Sequence, residues 1–214
     1  MPRGPRRWSR CGAGGSFRAV SPFLVAAALV VAYLCGSVPF GLLVARARGV
    51  DVRAVGSGNI GATNVTRALG KKTGALVLFL DAVKAFVPVL VTRRMWPDAT
   101  LLAAGVGLFA ILGHVFPVWL KLRGGKGVAT GLGVFLALSP IATAIAAALF
   151  LAVYATKRIV SVGSLAAATA LPIAMLALGE PVPFVALGGA VWLLVMVRHR
   201  TNIQRLLRRE ERKL

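Results

Sequence analysis

Apolar residues in this chain run in long uncharged stretches separated by short basic segments. Residues 19–45, 99–120, 127–156, 159–179 and 181–197 contain no Asp, Glu, Lys or Arg. A further stretch, 73–92, is interrupted only by Asp81 and Lys84. About 18–20 apolar residues in helical form cross a hydrocarbon core of about 30 Å, and several of these stretches reach that length. The pattern predicts an all-α, polytopic integral membrane protein. The 27 residues of 19–45 make about 40 Å of helix. That is too long for the apolar core of a signal peptide, so they are read as a retained first span.

The stretch 127–156 does not fit one crossing. Its 30 residues correspond to about 45 Å of continuous helix. Ser139-Pro140 offers a break, because proline lacks a donor and disfavours helix at the residue before it. Residues 127–138 are then too short to span alone, and must be sheltered by protein or thin the bilayer. Charge supports the break. With it, the segments 46–72, 121–126, 157–158 and 198–213 fall on one side and carry 18 of the 26 basic residues. Lys and Arg accumulate in cytoplasmic loops. The reading is seven transmembrane helices with the C-terminus and the basic loops cytoplasmic. The five arginines before residue 19 fall on the other side, against that tendency. Residues 1–20 read as a disordered basic extension, 21–200 as a single seven-helix membrane domain, and 201–214 as a basic cytoplasmic tail.

Composition sharpens this picture. The chain is 57% hydrophobic and 15% charged, where a soluble domain carries about a quarter charged residues. A net charge of +20 suggests a polyanionic partner. The basic residues, however, sit between apolar spans rather than along one soluble face. Phosphate-bearing lipid or substrate is therefore expected, and no nucleic acid. Cys11 and Cys35 give neither a metal-ligand spacing nor a disulfide framework.

Two loops carry the candidate chemistry. In the first, Gly56, Gly58 and Gly61 let the backbone fold tightly and turn N–H groups toward an anion. Ser57, Asn59, Thr63 and Asn64 add short polar donors, and Arg67 adds a planar fork matched to phosphate oxygens. In the second, Arg123-Gly124-Gly125-Lys126-Gly127 opens a helix. There, free amides and the positive end of the helix dipole are expected to meet the Lys126 ammonium. It is not a P-loop, since Gly127 stands where Ser or Thr is required. Ser161 and Ser164 are placed in a short loop after Lys157-Arg158. His199 and Asn202 follow the last span. His114 ends the third span and reads as structural, and Asp81 and Lys84 as a self-neutralising pair on one helix face.

Several reaction classes lack their residues. Asp51, Asp81, Asp98, Glu180, Glu210 and Glu211 are the six acidic residues, with no cluster suited to Mg²⁺. No metal or cofactor is expected. Neither histidine has an aspartate five positions on, since Trp119 and Gln204 stand there. No G-x-S-x-G elbow occurs.

The segments GSGNIGATNVTR (56–67), HVFPVWLKLRGGKGVAT (114–130), SVGSL (161–165) and RHRTN (198–202) resemble the bacterial acyl-phosphate:glycerol-3-phosphate acyltransferases. The resemblance runs from about residue 23 to the C-terminus. It implies a seven-helix enzyme of the bacterial inner (plasma) membrane, without metal. Such an enzyme moves an acyl group from acyl phosphate to the 1-hydroxyl of glycerol 3-phosphate, in phospholipid synthesis. Lysophosphatidate and inorganic phosphate are the products, and a soluble partner enzyme makes the acyl phosphate. By matching position, Ser57, Asn59, Arg67, Lys126, Ser164, His199 and Asn202 line its site. Ser57, Lys126 and His199 are the catalytic candidates; Gly58, Thr63, Asn64, Gly124, Gly125 and Gly127 join the binding set.

Three mechanisms remain in view. In the first, the glycerol hydroxyl attacks directly and a donor phosphate oxygen takes its proton. In the second, His199 or His114 is the general base. The third passes through an acyl-Ser57 enzyme. A different class, an organophosphate transporter, would use Asp81 and Lys84 near the midplane, but the polar motifs cluster on one side.

Overall fold

A computed structural model describes residues 20–214. The basic extension, apart from Val20, lies outside the described residues. The described residues form ten α-helices and no strand: α1 (Pro22–Ser37), α2 (Phe40–Arg46), α3 (Ala62–Leu69), α4 (Lys71–Met95), α5 (Thr100–Val115), α6 (Val128–Leu138), α7 (Pro140–Lys157), α8 (Val160–Ala177), α9 (Val182–Arg198) and α10 (Arg200–Leu207). A 3-10 turn, Val118–Leu120, follows α5.

The first apolar stretch is not one helix. It breaks at Val38-Pro39, where proline has no N–H to continue the ladder. The carbonyl of Val38 instead accepts the Lys84 ammonium at 2.8 Å. Taken together, Pro22–Arg46 still has the length and hydropathy of a span, as do Lys71–Met95, Thr100–Leu120, Pro140–Lys157 and Val160–Ala177. The 17-residue α9 makes a sixth with α10 beyond a 59° bend. The seventh element is α6, with 11 residues.

The expected break at Pro140 is present, and it makes α6 the short member of a hairpin with α7. Protein shelters α6: Thr130, Gly131, Gly133, Val134, Phe135, Ala137 and Leu138 are all buried. A helix ending among apolar neighbours leaves carbonyls that need donors. Arg93 supplies them, its Nη1 reaching Ala137 O at 2.8 Å and Leu138 O at 3.1 Å. At the same corner Ser139 Oγ donates to Glu180 Oε1 at 2.5 Å, and Thr143 Oγ1 to Ser139 O at 2.8 Å. The polar groups of the buried turn are thereby paired.

Side chains from α4, α5, α6, α8 and α9 meet around Val89, Ile111, Phe135, Leu138, Met175, Phe184 and Val191. Close packing with small residues is how apolar helices associate when lipid removes the hydrophobic drive. Gly113 of α5 illustrates it, since a Cβ there would collide with the carbonyl of Tyr33 in α1. Leu76, Phe79, Val91, Leu101, Leu151, Ile173 and Leu193 face outward on the spans. So broad an apolar surface belongs against lipid. At one end, the segments 47–61, 116–127, 158–159 and 199–214 come together.

Candidate active site

Asn64 organises the first loop. Its side chain is 1% exposed. Oδ1 accepts from Ser57 N at 2.9 Å, while Nδ2 faces the carbonyls of Val52, Val55 and Asn59, each at 2.9 Å. Gly56 must be glycine here: its φ is +62°, and a Cβ would strike Asn64 Oδ1. The amides expected to face an anion are spent inside the loop. Gly58 N donates to Val55 O at 3.0 Å and Gly61 N to Asn59 Oδ1 at 2.8 Å. Asn64 therefore holds the loop, and Gly58 serves its backbone turn at φ +68°. Ser57, Asn59, Thr63 and Arg67 remain facing a shared cleft. Arg67 Nη2 donates to Arg212 O at 3.3 Å, while its buried Nε has no partner among the described residues.

The second loop differs similarly from expectation. Gly124 N and Gly125 N donate to Val115 O and His114 O, both at 3.1 Å. Neither glycine lines the cleft. Their carbonyls accept Arg198, Nη2 to Gly124 O at 3.1 Å and Nε to Gly125 O at 3.3 Å. A Cβ on Gly125 would strike the His114 ring, so the turn lies flat on that imidazole. The flat turn lifts Lys126 into the cleft, and Gly127, at φ +84°, starts α6. The unpartnered amides of the first helical turn belong to Val128, Ala129 and Thr130, and Val128 and Ala129 line the cleft.

Beneath the turn lies a closed network. Lys84 Nζ meets Asp81 Oδ1 at 2.6 Å, Val38 O at 2.8 Å and His114 Nδ1 at 3.1 Å. Three ammonium hydrogens are matched to three acceptors, so His114 Nδ1 accepts and is already engaged. Asp81 and Lys84 thus pair as expected and tie α4 to α5 and to the α1–α2 break.

The other wall comes from α8, α10 and the tail. Ser161 and Ser164 are not in a loop: α8 begins at Val160, and both lie within its first two turns, facing the cleft. His199 is 3% exposed at the bend between α9 and α10. Its Nδ1–H donates to Val195 O at 2.9 Å, leaving Nε2 as the free ring nitrogen. Burial first, then the nearby Lys126 charge, push its pKa down to about 4. Lys126 Nζ donates to Asn202 Oδ1. Burial lowers the Lys126 pKa to about 8, with Glu211 opposing and Arg205, Arg67 and Arg198 reinforcing the drop. The sequence reading left out Glu211 and Arg205, which face each other at 2.7 Å. The available signal was the acidic pair Glu210-Glu211 set within an otherwise basic tail.

The cleft occupies about 800 Å³ including its open mouth. It continues into an apolar groove of about 970 Å³, again including its open side, among α6, α7, α8 and α9. Leu78, Gly127, Val128, Ala129, Phe150 and Ser164 line both. A cationic chamber and a greasy channel therefore meet at the N-terminus of α6.

Residues 26–209 match the family model described as glycerol-3-phosphate acyltransferase. The chain belongs to the glycerol-3-phosphate acyltransferase family. A glycerol-3-phosphate acyltransferase of Myxococcus xanthus is 53% identical over 192 residues, covering 89% of this chain and all of that protein. One from Anaeromyxobacter dehalogenans is 51% identical over 203 residues, covering 91% of this chain and all of that protein. Among solved structures, the glycerol 3-phosphate form of PlsY (YgiH), an integral membrane glycerol 3-phosphate acyltransferase, is 41% identical. It superposes with a TM-score of 0.87 over 89% of this chain and 96% of that one. The lysophosphatidic acid form gives 0.85 at 40% identity, over 89% and 95%. In this acyltransferase family member, then, the loops at the mouth and the groove behind them belong to one enzyme fold in the membrane.

Proposed function

We propose that the chain transfers an acyl group from acyl phosphate to the 1-hydroxyl of glycerol 3-phosphate, giving lysophosphatidate and inorganic phosphate. The observation that carries this reading is the continuity of the cationic cleft with the apolar groove at the start of α6. Both phosphates belong with the cations and the acyl tail with the groove, so the reacting carbonyl falls at the junction. Arg67 and Lys126 hold phosphate oxygens, and Ser57, Asn59, Thr63 and Ser164 supply further donors. The cleft opens to the cytoplasm across a bacterial plasma membrane, where glycerol 3-phosphate and the acyl phosphate from a soluble enzyme arrive.

Acyl phosphate is already activated, so positioning and charge stabilisation carry most of the catalysis. The glycerol oxygen attacks the acyl carbon, forming the ester C–O bond. The C–O bond to phosphate breaks, and the departing phosphate takes the hydroxyl proton. The unpartnered amides of Val128 and Ala129, at the junction of cleft and groove, donate to the developing oxyanion. His199, with a pKa near 4, is a weak base compared with one poised near 7. Ser57 Oγ has no hydrogen bond to a base among the described residues, which disfavours an acyl-serine route.

Purified protein incubated with acyl phosphate and labelled glycerol 3-phosphate should form lysophosphatidate and phosphate in equal amounts. Absence of that product, with turnover from acyl-CoA, would overturn the donor assignment. Ping-pong kinetics or a trapped acyl-serine would overturn direct transfer.

A further inference from the structure

The tail that follows α10 reaches the cleft at Glu211. The Glu211 side chain is 5% exposed. Its Oε1 accepts from Ser161 Oγ of α8 at 3.0 Å and from Asn202 Nδ2 of α10 at 2.5 Å. Its Oε2 accepts from Arg205 Nε at 2.7 Å. Around it the tail is tied down: Leu214 N donates to Arg158 O at 2.9 Å, and Arg67 to the carbonyl of Arg212. Asn202, itself 5% exposed, is the bridge. A carboxylate only accepts and an ammonium only donates. An amide between them therefore satisfies both in one orientation, NH₂ toward Glu211 and carbonyl toward Lys126.

We infer that Glu211 is a positioning residue for the acyltransfer: through Asn202 it fixes where the Lys126 ammonium stands, so the C-terminal tail completes the active site. The inference rests on the proposed role of Lys126 as a phosphate contact. Glu211 lies beyond residues 26–209, which the family model matches. Both carboxylate oxygens are engaged, by Ser161, Asn202 and Arg205, and none of the hydrogen bonds comes from Arg67 or Lys126. Those two cations stay available to a substrate, which separates a support from a competing anion.

The charged and titratable groups facing Lys126 are Arg67 of α3, Arg198 of α9, His199 at the bend, Arg205 of α10 and Glu211. Asp81 and His114 lie on the cleft floor. Glu211 is the group that favours the charged lysine against its burial, so neutralising it lowers the pH at which Lys126 deprotonates.

The test compares full-length wild type with Glu211→Gln, Asn202→Ala, the double variant and Glu210→Gln as an exposed control. Glu211→Gln should lower kcat/KM for glycerol 3-phosphate at least tenfold and move the alkaline limb below the wild-type position. It should add little once Asn202 is alanine, because coupled residues are not additive. Calorimetric affinity for glycerol 3-phosphate should fall in parallel. That measurement does not depend on the acyl donor, so a failure of the donor assignment is read separately in the wild-type turnover. Should Glu211→Gln not fold, Glu211→Asp, which keeps the charge on a shorter arm, should lose activity with its limb unmoved. Unchanged kinetics would overturn the inference. Tighter glycerol 3-phosphate binding, the mark of a competing anion, would overturn it too, as would additive losses in the cycle.

Discussion

Lys121, Arg123 and Lys126 lie on one turn, yet the fold treats them differently. Lys121 is exposed, whereas Lys126 is drawn inward against Asn202. Removing a charge-assisted contact costs about 1.5–3 kcal/mol. Lys126→Ala should therefore lose at least about tenfold in kcat/KM, since about 1.4 kcal/mol is a factor of ten. Lys121→Ala should stay near wild type. Arg67→Lys keeps the charge but loses the fork, and should fall clearly in glycerol 3-phosphate kinetics. The burial that selects Lys126 also sets a pH dependence. Its ammonium is intact below about pH 8 and is lost as pH rises through that value. The pH profile of kcat/KM should show a falling limb near 8, moved upward in kcat because bound phosphate stabilises the charge. Lys126→Arg should remove that limb, and a limb unmoved by it would assign the titration elsewhere. The sequence made these side chains legible because charge and hydrogen-bonding capacity are properties of residue type. Which amides would be free was not legible. Gly124 and Gly125 look like an anion nest in one dimension, but the carbonyls of Val115 and His114, at the end of α5, take their N–H groups.

The helix breaks follow proline where its missing donor can be compensated. Pro140 was readable because 127–156 is too long for one span, and Arg93 and Glu180 complete the buried corner. The break at Pro39 is not legible because 19–45 has a plausible length as one span, and the partner for the Val38 carbonyl, Lys84, lies 46 residues away. Ser161 and Ser164 read as a short loop because they follow the basic pair Lys157-Arg158, whereas α8 begins at Val160 and carries both. If the α6–α7 hairpin holds in the membrane, single-cysteine labels near residues 72, 123, 158 and 205 should all react from the cytoplasmic side. Labels at 94 and 180 should react from the opposite side. Residues 123 and 158 reacting from opposite sides would remove the hairpin from the membrane topology. The Gly125 turn offers a second check on packing. Gly125→Ala forces a Cβ onto the His114 imidazole and should tilt Lys126 out of place. Activity should fall while the protein still inserts, and wild-type activity in that variant would separate the turn from catalysis.

Taken together, the bundle offers its substrates two connected compartments of opposite character, and that division bears on the choice of acyl donor. The cationic chamber is walled by Arg67, Lys126, Arg205 and short polar side chains, and is closed at its far edge by the C-terminal tail. A phosphate head fits such a chamber, because Arg67, Lys126 and the polar side chains of Ser57, Asn59, Thr63 and Ser164 offer it charge and hydrogen-bond donors. An acyl-CoA would have to bring a long pantetheine arm and an adenine ring past the tail contacts Arg67–Arg212 and Leu214–Arg158. Among the described residues, Phe150 is the one Phe, Tyr or Trp that lines this chamber, and it also lines the apolar groove. Acyl phosphate should thus be used efficiently and acyl-CoA poorly by the purified protein. Inorganic phosphate should inhibit competitively against acyl phosphate, since in the proposed reaction product and donor use the same cations. Among the described residues the acidic side chains form no cluster arranged to hold a divalent ion, so EDTA should leave the rate unchanged. Robust turnover with acyl-CoA, or an EDTA-sensitive rate restored by Mg²⁺, would contradict this division of the cleft.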